Sequence, residues 1–284
     1  MAPPLPSALD AFEEISCRVQ GKRVAIFLDY DGTLTPIVET PDQALMTDAM
    51  REMLTELSRL FPVGVISGRD LSDLREKVGI ESILYAGSHG FDISGPKGWK
   101  VEHQVGTGFL PLLDRAQARL IRDLGSIEGL QVERKKFAIA VHYRLVDPEN
   151  LQRIEKIVNE VAAGHPELRK ACGKKIFELQ PNMDWHKGKA LLHFLEALDL
   201  NRSDLLPIYL GDDVTDEDAF RVLRGWGVGI VVGEEPYETA AAYRLKNSDE
   251  TLLFLRRLIA FQRKKIDGPE GNETGKTKKE SNPA

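Results

Sequence analysis

Residues 23–37 read RVAIFLDYDGTLTPI, an apolar run that is followed at once by two aspartates one residue apart. Residues 24–28 are rich in strand formers and have charge before them and an Asp-Gly pair after them, which predicts a strand buried on both faces. This strand would carry Asp29 and Asp31 at its carboxyl end, the end at which parallel sheets bind their ligands.

Strands and helices alternate on both sides of this first strand. Between residues 48 and 60, apolar side chains recur at helical spacing behind a Thr47-Asp48 pair that can cap a helix. Other segments that fit the alternation are strands at 62–67, 206–211 and 228–233 and helices at 69–78, 187–200 and 216–225. This order predicts an α/β protein whose core is a Rossmann-like, doubly wound parallel sheet.

The middle of the chain has a different pattern. Residues 137–144 and 174–181 alternate apolar and polar side chains, which predicts strands with one face in water, and each follows a helical segment. We therefore expect an inserted α+β cap domain at 106–184, between a first core part at 1–105 and a second at 185–262. Residues 263–284 are polar and almost without apolar side chains, so we expect a disordered tail.

Composition narrows the class of partner. The formal net charge of −6 over 284 residues leaves no extended cationic surface for nucleic acid. Cys17 and Cys172 lie far apart, which favours neither a disulfide framework nor a zinc site. No apolar stretch is long enough to cross a bilayer, and the first residues do not read as a signal peptide. We expect a cytoplasmic protein with a small-molecule substrate and with neither nucleic acid nor membrane as a partner.

Polar clusters follow three of the predicted strands and the insertion. They are Asp29-Tyr30-Asp31-Gly32-Thr33, Ser67-Gly68-Arg69, Gly211-Asp212-Asp213-Val214-Thr215-Asp216 and Trp185-His186-Lys187-Gly188. Acidic groups on adjacent strand ends repel unless a cation lies among them, and hard oxygen ligands favour Mg²⁺.

These residue types suit transfer of a phosphoryl group. Asp29 would attack phosphorus and form an acyl phosphate, and Asp31 would protonate the leaving oxygen and later deprotonate water. Ser67 and Lys187 would bind the non-bridging oxygens, and Asp212 would complete the ligands of the metal.

Each signal also has a simpler interpretation. The Asp-x-Asp-Gly-Thr segment alone is compatible with a turn, and Ser67 with the cap of the following helix. Asp213 and Asp216 fit either a helix entry favoured by the macrodipole or support for Asp212 and the lysine. His89, in a Ser-His-Gly segment, reads more simply as part of a tight turn.

The four ordered motifs resemble those of haloacid-dehalogenase-type phosphatases. The match extends to FLDYDGTLTPI, VISGR, YAGSHGFDI, VHYR, DWHKGKALLHFL and YLGDDVTDEDAF, which together resemble the trehalose-6-phosphate phosphatase family over about residues 22–260. The resemblance implies a Rossmann-like core, a mobile cap, Mg²⁺ dependence and release of trehalose in trehalose biosynthesis.

The resemblance also assigns roles by matching residue. It implies Asp29 as nucleophile, Asp31 as acid and base, and Asp29, Asp31 and Asp212 as metal ligands. It places phosphate on Ser67 and Lys187, with Gly32, Gly68 and Arg69 among the substrate-binding residues and Arg69 bracing the loop. In the cap, it implies that Lys135, His142 and Glu178 contact the sugar.

Three other functions remain open from the sequence. The first is phosphatase action on another glycoside phosphate, such as sucrose phosphate or glucosylglycerol phosphate, which the core motifs do not separate from the favoured substrate. The second is a signalling receiver domain, which is shorter and has no insertion. The third is an inactive sugar-phosphate-binding subunit, against which the intact acidic set argues.

Overall fold

The computed structural model of the chain describes residues 5–96, 100–102, 107–173, 175–198, 204–233 and 238–267. These residues form an eight-stranded sheet and a separate four-stranded sheet. Helices cover both faces of the larger sheet and one face of the smaller sheet.

The secondary structure follows the predicted alternation. In chain order the strands are β1 (Arg23–Leu28), β2 (Val63–Ile66), β3 (Leu84–Gly87), β4 (Asp92–Ser94), β5 (Lys100–Glu102), β6 (Gln131–Lys135), β7 (Ala138–His142), β8 (Leu168–Gly173), β9 (Ile176–Pro181), β10 (Leu205–Gly211), β11 (Val228–Val232) and β12 (Tyr243–Leu245). The helices are α1 (Phe12–Val19), α2 (Asp48–Leu60), α3 (Leu71–Val78), α4 (Leu110–Leu124), α5 (Leu151–Ala163), α6 (Lys187–Ala197), α7 (Glu217–Leu223) and α8 (Ser248–Asp267).

The larger sheet is mainly parallel. Six neighbouring strands run parallel in the order β12-β11-β10-β1-β2-β3, and β4 and β5 extend the sheet in antiparallel fashion. Strand β1 thus lies between β2, which follows it closely in the chain, and β10, which comes after the whole insertion. The chain order reverses at β1, and this is the position at which doubly wound sheets open a crevice for ligands.

Alternate side chains of β1 enter two different cores. Val24, Ile26 and Leu28 pack with apolar residues of α1, α2, α3 and α8 on one face of the sheet. Ala25 and Phe27 pack with those of α6 and α7 on the other face. A strand buried on both faces requires this alternation, and the predicted doubly wound sheet is confirmed.

The smaller sheet forms a unit that we call the cap (β6–β9 with α4 and α5). Its strands are antiparallel in the order β6-β7-β9-β8. Ile139, Val141 and Leu179 pack against the two helices. The residues between them, such as Ala140 and Glu178, therefore point to the opposite face, which carries no helix and faces the rim of the larger sheet.

The end of the chain differs from the predicted organisation. The sequence predicts a disordered tail from residue 263, but α8 continues through Asp267. Phe261 packs partly on the core, and Arg263 pairs with Glu56 of α2 at 2.8 Å, so the last turns of the helix are anchored. Residue 106, the predicted start of the cap domain, and residues 268–284 of the predicted tail lie outside the described residues. Within the described ranges, no helix is both long and apolar enough to cross a membrane.

Candidate active site

Three parallel strands bring their polar ends to one rim of the larger sheet. β1 and β10 are neighbours in register, so Asp29 and Asp212 follow adjacent strand ends. β2 pairs with β1 on its other side and is followed by Ser67. Gly32 has a left-handed backbone (φ +76°), and a Cβ at this position would overlap the carboxylate of Asp212. Only glycine therefore allows the loop after β1 to approach the loop after β10 this closely.

Lys187, the first residue of α6, lies buried between two carboxylates. Its Nζ is 2.9 Å from Asp29 Oδ1 and 2.8 Å from Asp216 Oδ1. Burial acts to lower the pKa of Lys187, but attraction to Asp216 and Asp29 outweighs burial, so the pKa is raised above its ordinary value. Lys187 is therefore a fixed ammonium at the floor of the site.

The pKa of Asp29 is subject to opposing effects. Its side chain is 6% exposed, and burial raises its pKa well above the ordinary value. Attraction to Lys187 lowers this pKa, whereas repulsion from Asp216, Asp212 and Asp31 raises it further. The charged form of Asp29 is thus under repulsion that an additional cation beside it would relieve.

Asp216 accepts hydrogen bonds from several groups at the floor of the site. Its Oδ1 accepts a hydrogen bond from the hydroxyl of Tyr209 at 2.6 Å, and its Oδ2 accepts from the backbone N–H groups of Asp212 at 3.1 Å and Asp213 at 3.0 Å. Burial and the charge of Asp216 raise the pKa of Tyr209 well above its ordinary value, so this hydroxyl stays a donor. With Lys187 as a further donor, the carboxylate of Asp216 accepts four hydrogen bonds.

Three buried carboxylates form a possible metal site. Asp29, Asp212 and Asp216 each offer an oxygen, and these oxygens all lie within 4.8 Å of one another. Oxygen donors of this kind fit a hard divalent cation such as Mg²⁺. The set implied by the sequence is Asp29, Asp31 and Asp212; the structure groups the first and third with Asp216, and it places the carboxylate of Asp31 against an arginine.

That arginine is Arg69, from the loop after β2. Its Nε donates to Asp31 Oδ2 at 2.8 Å and its Nη2 donates to Asp31 Oδ1 at 2.7 Å, a bidentate pair. Its Nη1 donates to Asp73 Oδ2 at 2.8 Å, and Nη2 also donates to the carbonyl of Pro41 at 2.7 Å. Arg69 is 8% exposed, whereas the side chain of Asp31 is 46% exposed. Arg69 therefore fixes the orientation of Asp31 while leaving that carboxylate open to the cavity.

Ser67 and Gly68 form the turn that precedes Arg69. The Oγ of Ser67 accepts from the backbone N–H of Arg69 at 3.2 Å, and the N-cap position of α3 belongs to Asp70, so Ser67 is not the cap of that helix. A Cβ at Gly68 would meet the ring of His89. The loop therefore packs tightly against the turn that follows β3.

Two predicted cap residues form one buried cluster with a core histidine. Lys135 Nζ lies 2.5 Å from Glu178 Oε1, and His89 Nε2 lies 2.8 Å from Glu178 Oε2. Burial acts to raise the pKa of Glu178, but attraction to Lys135 and His89 outweighs burial, so the pKa falls well below its ordinary value. Glu178 is therefore an ionised acceptor on the open face of the cap.

The remaining predicted residues lie nearby in separate contacts. His142 Nε2 is 2.7 Å from Glu133 Oε2, on the same open face of the cap sheet. Asp213 accepts from the backbone N–H of Val214 at 2.6 Å and so caps its own turn. His142 thus shares the cavity wall, whereas the contact of Asp213 is local.

A cavity of about 400 Å³ separates the rim of the larger sheet from the open face of the cap. Its core side includes Asp29, Asp31 and Lys187, and its cap side includes Lys135 and Glu178. The residues predicted to bind phosphate and those predicted to bind the sugar therefore line the same cavity.

The sequence interpretation missed His89 as a site residue. The Ser-His-Gly segment does form a tight turn, with Ser88 at φ 49° and His89 at φ 56°. The same turn directs the imidazole to Glu178 of the cap. The signal that would have marked this histidine is its position directly after β3, because β3 ends at the same rim as β1 and β2.

Comparisons with known proteins agree with this arrangement. A model of the trehalose-phosphatase family matches residues 27–249. The chain is 44% identical over 276 residues to a probable trehalose-phosphate phosphatase D of Arabidopsis thaliana, covering 93% of this chain and 74% of that protein. It is 43% identical over 264 residues to a probable trehalose-phosphate phosphatase 4 of Oryza sativa subsp. japonica, covering 91% and 72%.

A solved structure gives the same result. The crystal structure of a trehalose-6-phosphate phosphatase related protein superposes with a TM-score of 0.74 at 26% identity and covers 85% of this chain and 99% of its own. The match of the family model includes the carboxyl ends of the strands that carry the site. The chain belongs to the trehalose-phosphatase family.

Proposed function

We propose that the protein is a Mg²⁺-dependent phosphatase that hydrolyses trehalose 6-phosphate to trehalose and inorganic phosphate through an aspartyl phosphate on Asp29. The observation that carries the proposal is the buried Asp29 carboxylate at the floor of the cavity between core and cap, 2.9 Å from the Lys187 ammonium. Membership of the trehalose-phosphatase family, whose relatives are named trehalose-phosphate phosphatases, supports this substrate.

In the first step a carboxylate oxygen of Asp29 attacks the phosphorus atom. The bond between phosphorus and the sugar oxygen breaks, and that oxygen takes a proton from Asp31 and leaves as trehalose. Asp31 can reach the leaving oxygen because about half of its side chain is exposed at the cavity. To donate, it must first bind a proton and release its bidentate pair with Arg69.

In the second step Asp31 takes a proton from water, and the resulting hydroxide attacks the phosphorus atom. The bond between phosphorus and Asp29 breaks, which restores the Asp29 carboxylate and releases inorganic phosphate. The proton that Asp31 gave away is thereby returned, and the enzyme ends in its starting state.

The charge on the transferred phosphoryl group needs fixed donors throughout. Lys187 supplies an ammonium that its two carboxylate partners hold in place, and the Ser67-Gly68-Arg69 turn would supply the Ser67 hydroxyl and the backbone N–H of Gly68 at the same rim. Donors held by the fold do not reorganise during the reaction, so they stabilise the transition state more than water does.

We propose that Mg²⁺ is held by Asp29 and Asp212, with Asp216 beside them. When bound, the ion neutralises the phosphate oxygens and the carboxylate repulsion that opposes attack by Asp29. Asp31, implied by the family resemblance as a ligand, has its carboxylate occupied by Arg69 in this structure.

The cap would supply the sugar contacts. Lys135 and Glu178 provide a donor and an ionised acceptor on the face opposite Asp29, and His142 lies further along the same face. Sugar hydroxyls both donate and accept, so such a paired set can bind them in a defined orientation.

Phosphate release by the purified protein tests the proposal. The substrates are trehalose 6-phosphate, sucrose 6-phosphate and glucose 6-phosphate, each with Mg²⁺ or with EDTA. We expect the highest kcat/KM on trehalose 6-phosphate, loss of turnover in EDTA and its recovery when Mg²⁺ is restored. Acid quench of a reaction with ³²P-labelled substrate should leave label on the peptide that contains Asp29.

Three outcomes would each contradict part of the proposal. Equal or higher kcat/KM on sucrose 6-phosphate would reject trehalose 6-phosphate as the substrate. Full turnover in EDTA would reject the metal, and label on a peptide without Asp29 would reject the nucleophile.

A further inference from the structure

Asp70 occupies the N-cap position of α3 but makes no hydrogen bond to its own helix. An aspartate at this position ordinarily accepts from the backbone N–H groups of the first helical turn. Asp70 directly follows the Ser67-Gly68-Arg69 turn that we assign to phosphate. Its carboxylate is therefore directed to a different part of the molecule, although the local sequence offers it a cap.

The partner of Asp70 is the cap. Its Oδ1 and Oδ2 lie 2.8 Å and 2.9 Å from the backbone nitrogen of Lys136, in the turn between β6 and β7. Its Oδ1 also accepts from the hydroxyl of Ser88 at 2.9 Å. One side chain thus joins the segment after β2, the turn after β3 and the hairpin of the cap.

The turn after β3 is also hydrogen-bonded to the Ser67-Gly68-Arg69 turn, which we call the phosphate-binding turn. The backbone N–H of Ser88 donates to the carbonyl of Arg69 at 2.6 Å, and that of His89 donates to the carbonyl of Ser67 at 2.9 Å. Ser88 and His89 both have left-handed backbones, a conformation that persists only where surrounding contacts fix it. The phosphate-binding turn, the turn after β3 and the cap hairpin therefore form one hydrogen-bonded unit around Asp70.

We propose that Asp70 is a positioning residue that couples closure of the cap to the phosphate-binding turn. Asp70 holds the Lys136 hairpin, and the same hairpin carries Lys135, which pairs with Glu178 above the cavity. The contacts to sugar and the contacts to phosphate are thereby made in a single closed arrangement. The proposal deepens the proposed function and rests on it for the identity of the sugar phosphate.

Other contacts at the same junction provide a matched control. Lys136 Nζ pairs with Asp92 Oδ2 at 2.8 Å, and the rings of Phe91 and Phe137 lie 5.7 Å apart. Lys136→Ala removes the ion pair to Asp92 but keeps the backbone N–H that Asp70 accepts. Asp70→Ala removes the hydrogen bond to that backbone N–H but keeps the ion pair to Asp92. The two variants therefore distinguish a specific role of Asp70 from a general weakening of the contacts between cap and core.

The first measurement is hydrogen exchange at the turn between β6 and β7 in the full-length protein without substrate. We expect the Lys136 amide to exchange on the order of tenfold faster in Asp70→Ala than in wild type, since a hydrogen bond to a charged acceptor is lost. Lys136→Ala should show a smaller change in this peptide. Unchanged exchange in Asp70→Ala would overturn the proposal.

The second measurement is the ratio of kcat/KM for trehalose 6-phosphate to kcat/KM for p-nitrophenyl phosphate, which is too small to need the cap. We expect this ratio to fall on the order of tenfold in Asp70→Ala, and to recover in part in Asp70→Asn, which keeps one oxygen acceptor. Equal losses on both substrates would overturn the proposal. Asp70→Asn also serves if Asp70→Ala does not fold.

The two measurements separate this proposal from the proposed function. If wild type does not release phosphate from trehalose 6-phosphate, the proposed function fails, and hydrogen exchange decides the role of Asp70 alone. If wild type releases phosphate but Asp70→Ala behaves as Lys136→Ala does in both measurements, the proposed function stands and the role of Asp70 is rejected.

Discussion

Lys187 pairs with two carboxylates at a buried position, where an unpaired ammonium would lose its charge. It is 3% exposed and lies within 2.9 Å of Asp29 and Asp216. Burying one charge costs several kcal/mol unless it is paired, so Lys187 requires a carboxylate partner; within this set Asp216 still supplies one when Asp29 is neutral. The set leaves Asp29 with the least favourable surroundings, because burial and three neighbouring carboxylates all raise its pKa.

The first prediction concerns that strained carboxylate. Asp29→Asn should lower turnover of trehalose 6-phosphate by at least about 10³-fold, because the nucleophile is lost. The melting temperature should stay equal or rise, since a raised pKa means that the charged form of Asp29 costs free energy in the folded state. Phosphate release and thermal unfolding measure the two effects.

Asp184→Asn is the control for this variant. Asp184 is 85% exposed and pairs with Lys189 at the surface, so the substitution should change neither quantity. If Asp29→Asn kept near-normal turnover, or lost activity only because it unfolds, the assignment of the nucleophile would be wrong.

At the scale of the element, the patterns that identified the strands are those that bury them. The apolar run before Asp29 predicts a strand buried on both faces, and β1 contributes alternate side chains to two cores. The alternation of apolar and polar residues at 137–144 and 174–181 predicts strands with one face in solvent. In the structure, one face of β7 and β9 packs on helices and the other lines the cavity. Periodicity predicts these elements because burial on one face or two leaves a direct trace in the sequence.

Contacts between elements left no such trace. Arg69 and Asp31 lie 38 residues apart, and His89 and Glu178 lie 89 apart, so nothing local reports that these side chains meet. In the sequence Asp216 fits either a helix entry or support for Asp212 and the lysine; its contact with Lys187, 29 residues earlier, is visible only in the fold. Motif order predicts which segments converge on the site. The pairing of individual side chains depends on how distant segments of the core pack together and, for His89 and Glu178, on how the cap packs on the core.

The second prediction tests the open face of the cap. Glu178→Ala should lower kcat/KM for trehalose 6-phosphate at least tenfold more than kcat/KM for p-nitrophenyl phosphate, because the smaller substrate makes no sugar contact. The measurement is steady-state kinetics on both substrates at saturating Mg²⁺.

Glu155→Ala is the matched control on the other side of the cap. Glu155 also pairs with a lysine, since its Oε1 lies 2.7 Å from Lys170 Nζ, and its side chain is 48% exposed. This variant should leave both kcat/KM values unchanged. A similar loss on the two substrates in Glu178→Ala would show that β9 does not contribute to sugar recognition.

At the scale of the whole molecule, the junction between cap and core depends on an ionised carboxylate. Burial disfavours the charged form of Glu178, yet Lys135 and His89 lower its pKa well below the ordinary value. Such a group stabilises the folded state at pH values above its pKa in the unfolded chain, about 4.3. That contribution is lost as the pH falls from there through the lower pKa of the folded state.

The third prediction follows from the direction in which the contribution of Glu178 to stability changes with pH. At pH 7, Glu178→Gln should lower the free energy of unfolding by about 3–5 kcal/mol, because Lys135 is left as a buried charge without its partner. The difference between wild type and variant should narrow as the pH falls below about 4.3, since wild type then loses the same contribution. Urea unfolding at pH 7, 5 and 3.5 measures it, and a difference independent of pH would contradict the assignment.

The place of β1 between β2 and β10 has a consequence for synthesis on the ribosome. β2 follows β1 within the same stretch of chain, but β10 is translated only after the cap, so one edge of β1 stays unpaired in the nascent protein until residues 205–211 emerge. The strands of the cap pair only with one another, so that unit can complete its sheet earlier. The apolar residues 24–28 therefore lack one strand partner until late in synthesis, and a ribosome that stalls before residue 205 would leave that edge of β1 open to pairing with other chains.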